Sequence, residues 1–70
     1  MSVTLNGERL RRELVRRGWN ANELAHAARL SNATVSAACR GIAISPTSVR
    51  LIVKALMSQP PLPDIDIFLS

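Results

Sequence analysis

The segment 31–40 carries short, mostly uncharged side chains where a solvent-facing helix usually carries Glu, Lys and Gln. Helical spacing would place one set of side chains on its outer face: Asn32, Ala33, Ser36, Ala37 and Arg40. Short side chains allow a helix to approach base edges in the major groove of duplex DNA. There Asn can pair with adenine, Ser can donate or accept, Ala can touch a thymine methyl, and Arg can reach guanine or phosphate. The segment therefore predicts a helix that reads DNA.

A second interpretation of the same segment is purely structural. Small side chains also pack against a neighbouring helix, and alanine is a strong helix former in any setting. Composition alone leaves the two interpretations about equal. The arrangement of the surrounding elements decides in favour of DNA binding.

Two short helices joined by a tight turn surround this segment. Asn20 is predicted to cap the first of them, with Glu23 completing a capping box, and that helix ends near Ala28. Ser31 caps the next helix, which runs to about Arg40, so only two residues separate the pair. This is the spacing of a helix-turn-helix.

Helices are also predicted on both sides of this pair. One runs from about Gly7 to Arg17 after the cap Asn6, and the other runs from Pro46 to about Met57 after the cap Ser45. The predicted buried stripe of the latter consists of Val49, Ile52, Val53 and Leu56. The fold class is therefore all-α, a compact bundle of about five short helices. Residues 1–57 form the domain and 58–70 a proline-rich tail.

Charge and composition limit the classes of partner and activity that the chain could have. A formal net charge of +4 and a pI near 11.2 favour an anionic partner. Only two aromatic residues argue against stacking on single strands. The sequence has a single cysteine and no pattern of a signal peptide, which predicts a cytoplasmic protein. It also has no apolar stretch of about 18 residues, so the protein is predicted to be soluble and not to enter membranes. Neither a catalytic constellation nor a metal-ligand cluster is apparent around His26 or Cys39, so no enzyme activity, cofactor or metal is predicted.

The chain resembles the Cro and phage-repressor family, including regulators of the xenobiotic-response-element type. The resemblance is carried by Leu24-Ala25, Ala28-Arg29-Leu30-Ser31, Thr34-Val35-Ser36 and Arg40-Gly41. It implies that the third helix enters the major groove of an operator, usually as a dimer on a palindromic site. It places Asn32, Ala33, Ser36 and Ala37 nearest the bases, Thr34 and Arg40 near the sugar-phosphate, and Asn20 and Asn22 at a phosphate.

Three positions depart from the family pattern. Arg29 stands where many members have a glycine in a left-handed backbone, Ala21 where many have Gln, and Cys39 where many have Glu. Further phosphate contacts are predicted at Arg17, Ser45 and Thr47, in addition to Arg40.

The tail and the fourth helix predict a homodimer. Leu51 is placed beside Arg50 and Lys54, away from the buried stripe, and more apolar residues follow in the tail: Leu62, Ile65, Ile67 and Phe68. The alternative is that the tail folds back over its own core. Asp64 and Asp66 after Pro63 favour a short fifth helix, although the alternation of polar and apolar residues also fits an extended arm.

Two functions follow from these observations. The first is a Cro-like or immunity-type repressor, from a phage or a mobile element, that occupies a double-stranded DNA operator and blocks transcription. The alternative is an antitoxin-type module that binds a protein partner and also regulates its own promoter.

Overall fold

The computed structural model describes residues 1–69, without the side chains of residues 66 and 69. Four helices of eight or more residues are present in this range: α1 (Gly7–Arg16), α2 (Ala21–Ala28), α3 (Asn32–Cys39) and α4 (Pro46–Ser58). A five-residue helix, α5 (Ile65–Leu69), follows. The predicted all-α class and the helix-turn-helix formed by α2 and α3 are confirmed. The predicted tail extends to Ser70, which lies outside the described residues.

Polar side chains cap α1 to α4 at the positions predicted from the sequence. Backbone N–H groups donate to Asn6 at 3.0 Å, to Asn20 at 2.8 Å, and to Ser31 and Ser45 at 3.1 Å each. The capping box of α2 is complete, because the Asn20 amide also donates to Glu23 Oε1 at 3.1 Å. Each such cap contributes about 1 kcal/mol. The start of every helix around the turn is thus set locally.

The core lies where α2 packs against α3 and α4. Its largest fully buried side chains are Leu24, Val35 and Ile52, one from each of these helices. Leu10 and Leu14 close it from α1. Cys39, the last residue of α3, is also buried.

The predicted orientation of α4 is wrong in part. Ile52 and Ala55 face inward, whereas Val53, predicted to be buried, is 45% exposed. Leu51, predicted to face away from the core, is half-buried and packs against it. Residues 51–53 and 55–57 are all apolar, so hydrophobic periodicity could not select the inner stripe. The small Ala55 takes the inward position because α4 packs closely on α2.

Both ends of the chain are attached to the bundle. Val3 and Ile44 form a single antiparallel bridge, with N–H···O distances of 2.7 and 2.8 Å, that joins the N-terminal arm to the loop before α4. The tail returns to α1 through the Leu62 amide, which donates to the Arg16 carbonyl at 2.9 Å. At this point the tail does fold back over its own domain. Within the described residues, no helix has the length and apolarity needed to cross a bilayer.

Candidate nucleic-acid interface

The turn between α2 and α3 depends on a left-handed residue. Arg29 adopts φ 59° and ψ 42°, and the Leu30 amide then donates to the Ala25 carbonyl at 2.9 Å. Leu30 packs against the core, which places Ser31 to begin α3 immediately. The resemblance to the Cro and phage-repressor family implied a left-handed backbone here, and this is confirmed with an arginine in place of glycine. A non-glycine residue in this region is strained.

The outer face of α3 consists mainly of short and polar side chains. Asn32, Ala33, Ser36 and Arg40 are exposed, whereas Val35 and Ala38 on the opposite side are fully buried. Helix α3 therefore presents a continuous edge of short side chains to solvent and does not bury that edge in its own protomer. The structural interpretation, in which small residues pack within the protomer, fails for these four positions.

Two predicted members of this face are less accessible. Ala37 is half-buried against the core, and its carbonyl accepts from the Ile42 amide at 2.9 Å as Gly41 (φ 73°) ends the helix. Thr34 is also half-buried, and its hydroxyl lies 2.9 Å from that of Ser31. Ala37 lies at the inner margin of the exposed edge, because it follows the exposed Ser36 by one residue, or about 100° of helix rotation.

Asparagines from two helices meet beside this edge. An open groove between α2 and the beginning of α3 is lined by Asn20, Asn22 and Asn32, with Trp19 and Leu30 among its apolar residues. The Asn20 side chain is engaged as the cap of α2, so its amide geometry is fixed. Helix N-termini are favourable positions for phosphate oxygens. The structure thus brings three predicted contact residues to one surface. Ser45 and Thr47 do not line this groove; both are exposed at the start of α4.

Arg17 does not belong to this surface. Its side chain is only 13% exposed, its Nε donates to the Leu56 carbonyl at 3.0 Å, and its Nη1 pairs with the Glu13 carboxylate. The prediction of a phosphate contact at Arg17 is therefore wrong. The residue instead joins the C-terminal ends of α1 and α4, which position alone in the sequence could not reveal.

The arginines of α1 are partly neutralised by glutamates three and four residues before them in the helix. Arg16 lies 3.5 Å from Glu13, and Arg12 lies 3.9 Å from Glu8 in an exposed pair that contributes little stability. The hydrogen bond from Arg17 lowers the pKa of Glu13, and the nearby charges of Arg17 and Arg16 act in the same direction.

Gly7 and Arg11 hold the far end of α3, a role that sequence reasoning missed. A Cβ on Gly7 would lie 2.7 Å from the Cys39 carbonyl carbon and 2.9 Å from the Gly41 nitrogen. The Arg11 guanidinium donates to the same Cys39 carbonyl. Helix α1 therefore fixes the C-terminal end of α3 through the one residue that permits this approach and through one hydrogen bond. One feature of the sequence could have indicated this contact: Gly7 directly follows a helix cap, a position where the backbone does not need the positive φ that favours glycine.

The histidine and the cysteine lie in different environments. His26 is exposed on α2, and Cys39 is buried, which raises the pKa of its thiol. Among the residues that the structure describes, no three His, Cys, Asp or Glu side chains gather in a metal-binding group.

A family model described as helix-turn-helix matches residues 9–57, a range that begins within α1 and ends within α4. The matched range contains the whole α2-turn-α3 unit and the exposed edge of α3. Comparisons with curated proteins and with solved structures find no match.

Proposed function

Because the chain belongs to the helix-turn-helix family of the Cro and phage-repressor type, and is thus a DNA-binding transcription regulator, we propose that it acts as a repressor. In this proposal a homodimer occupies a palindromic operator in the cytoplasm and blocks access of polymerase. The observation that carries the proposal is the exposed edge of α3, which stands outward from a fully buried opposite face.

The contacts follow from the position of each side chain along this edge. Asn32, Ala33 and Ser36 face the base edges, with Ala37 at the margin of the contact. Arg40 and Thr34 approach the sugar-phosphate on the same side. Across the groove, Asn20 and Asn22 present the N-terminus of α2 to a phosphate, and Ser45 and Thr47 do the same from α4.

Selection of bound duplexes from a random pool tests this proposal most directly. A palindromic consensus is expected, with half-sites about one helical turn apart. Asn32→Ala and Ser36→Ala should each relax preference at one base position by about 1–3 kcal/mol. Absence of any sequence preference in the wild-type chain would refute it.

Arginine substitutions separate phosphate contacts from the general charge of the domain. Arg40→Ala should weaken binding to all duplexes and reduce the slope of log K against log salt by about 0.9. Arg12→Ala is the matched control, because it removes an equally charged and exposed side chain from α1. Equal changes of slope in the two variants would exclude a specific contact at Arg40.

The homodimer is proposed to use the tail and α4. The five residues predicted for the interface differ in availability: Leu51 packs in its own core, Leu62 lies against its own Gly18, and Ile65 is half-buried. Ile67 and Phe68 are the available anchors, at 70% and 81% exposure. Dimer formation is needed in this proposal because a single half-site provides little operator affinity.

The exposed apolar tail also supports the alternative, an antitoxin-type module whose tail binds a protein partner. That partner would cover Ile67 and Phe68 as a second copy would. Co-purification of a protein that dissociates on Phe68→Ser would favour the antitoxin interpretation over the repressor.

A further inference from the structure

An uncovered apolar groove runs between α1 and α4, away from the α3 edge. It encloses about 190 Å³, and its apolar lining comes from both helices and the N-terminal arm: Leu5, Leu10, Ile52, Val53 and Leu56. Val53 is 45% exposed, and no described side chain covers the groove at this point. An apolar depression of this kind on so small a domain is costly to leave in water.

The rim of the groove is basic. Asn6, Arg9 and Glu13 line the groove and also line an adjoining polar surface together with Glu8, Arg12 and Arg16. The Glu13 carboxylate is paired with Arg16 and Arg17, so it offers little negative charge to a ligand. The groove is therefore apolar along its floor and bordered by arginines on the α1 side.

The tail of the chain has the complementary character. In residues 64–69, Asp64 and Asp66 alternate with isoleucines, Phe68 and Leu69 follow, and no residue is basic. In its own protomer the tail is attached at Leu62, and it leaves Ile67 and Phe68 exposed. One molecule therefore displays both an acidic, apolar segment and an uncovered basic-rimmed groove.

We propose that two copies exchange tails, so that the segment Asp64–Phe68 of each docks in the α1–α4 groove of the other. Phe68 occupies the apolar floor beside Val53, and Asp64 faces Arg9 on the rim. The arrangement is isologous, since each copy donates one tail and receives one. This inference rests on the proposed homodimer and specifies its interface.

Complementation between two variants tests the exchange in the absence of DNA. Val53→Arg blocks the groove and leaves the tail intact, whereas Phe68→Ser disables the tail and leaves the groove intact. Both residues are exposed, so each variant should fold, as circular dichroism and thermal melting would verify. Each alone should raise the dimer dissociation constant by about tenfold or more in sedimentation equilibrium, as loss of an aromatic anchor does. Mixed together, they should form a heterodimer through the one intact tail-groove contact, tighter than either homodimer.

Met57→Ser is the matched control, because Met57 is 79% exposed on the same helix but does not line the groove. It should leave the dissociation constant unchanged. A charge-reversal pair provides a second test. Arg9→Glu should raise the dimer dissociation constant, and Asp64→Lys in the partner should reverse part of that increase.

Several results would overturn the exchange. A monomeric wild-type chain, a mixture no tighter than its components, or a dimer broken by Met57→Ser but not by Val53→Arg would each do so. Destabilisation of a monomer by Phe68→Ser would show instead that the tail covers its own groove. Duplex selection is measured separately, so loss of sequence preference with intact complementation would refute the repressor and leave the exchange standing.

Discussion

Replacing Arg29 with glycine should stabilise the domain. The residue holds φ 59° and ψ 42°, where an L side chain costs about 1–2 kcal/mol and glycine costs almost nothing. This gain is reduced by about 0.4–1 kcal/mol, because glycine increases the conformational entropy of the unfolded chain. At the middle of these two ranges the net gain is about 0.8 kcal/mol. In a domain of this size such a gain raises Tm by about 3–6 °C.

Urea unfolding followed by the fluorescence of Trp19, together with thermal melting, measures this gain. Arg29→Ala is the control, because it removes the same charge but keeps a Cβ in the left-handed region. If the backbone argument is right, the glycine variant gains stability and the alanine variant does not. Equal stability of the two variants would mean that the guanidinium, not the backbone angle, determines the effect.

Three further predictions concern the supports of α3 and α1. Gly7→Ala should destabilise the fold by about 1–3 kcal/mol in urea unfolding, because its Cβ would overlap the backbone at Cys39 and Gly41; retained stability would mean that the two helices separate freely. Arg11→Met should weaken operator binding without changing the salt slope, since Arg11 orients α3 through the Cys39 carbonyl and touches no phosphate, and Arg11→Lys should restore part of the affinity. The folded-state pKa of Glu13 is lowered, so its stabilising contribution is complete above the ordinary value of 4.5 and is lost as pH falls through the folded value. Acid unfolding of Glu13→Gln should lack this component, and an unchanged pH profile would contradict it.

The parts of the fold that the sequence predicted are those governed by local chemistry. Asn6, Asn20, Ser31 and Ser45 begin helices because their side chains satisfy amides three residues later in the chain, a requirement that spacing alone reveals. The inner face of α3 could be predicted for a similar reason. Val35 and Cys39 are four residues apart on a helix whose other positions are small and polar.

The incorrect predictions concern positions where the sequence pattern is compatible with more than one packing arrangement. Helix α4 offers apolar residues on almost every side, so Leu51 and Val53 exchanged their predicted environments once tertiary packing chose the inner stripe. Arg17 was predicted to contact phosphate because it lies where α1 ends and a loop toward the DNA backbone was expected, although Glu13 stands four residues before it. The carbonyl that it binds belongs to Leu56, 39 residues away. Contacts of this range depend on the final packing and have no sequence pattern of their own.

One local cap and one long-range contact together explain how so small a protein can hold a DNA-reading helix in place. In the part of the chain that the structure describes, the largest fully buried side chains are Leu24, Val35 and Ile52, so the core alone provides limited resistance to rotation or sliding of α3. Its first turn is held by the Ser31 cap, and its last carbonyl is held by Arg11 over the close approach at Gly7. Both attachments act on the backbone of α3, so neither requires a side chain on the exposed edge. That edge can therefore change with the operator while α3 keeps its position in the bundle.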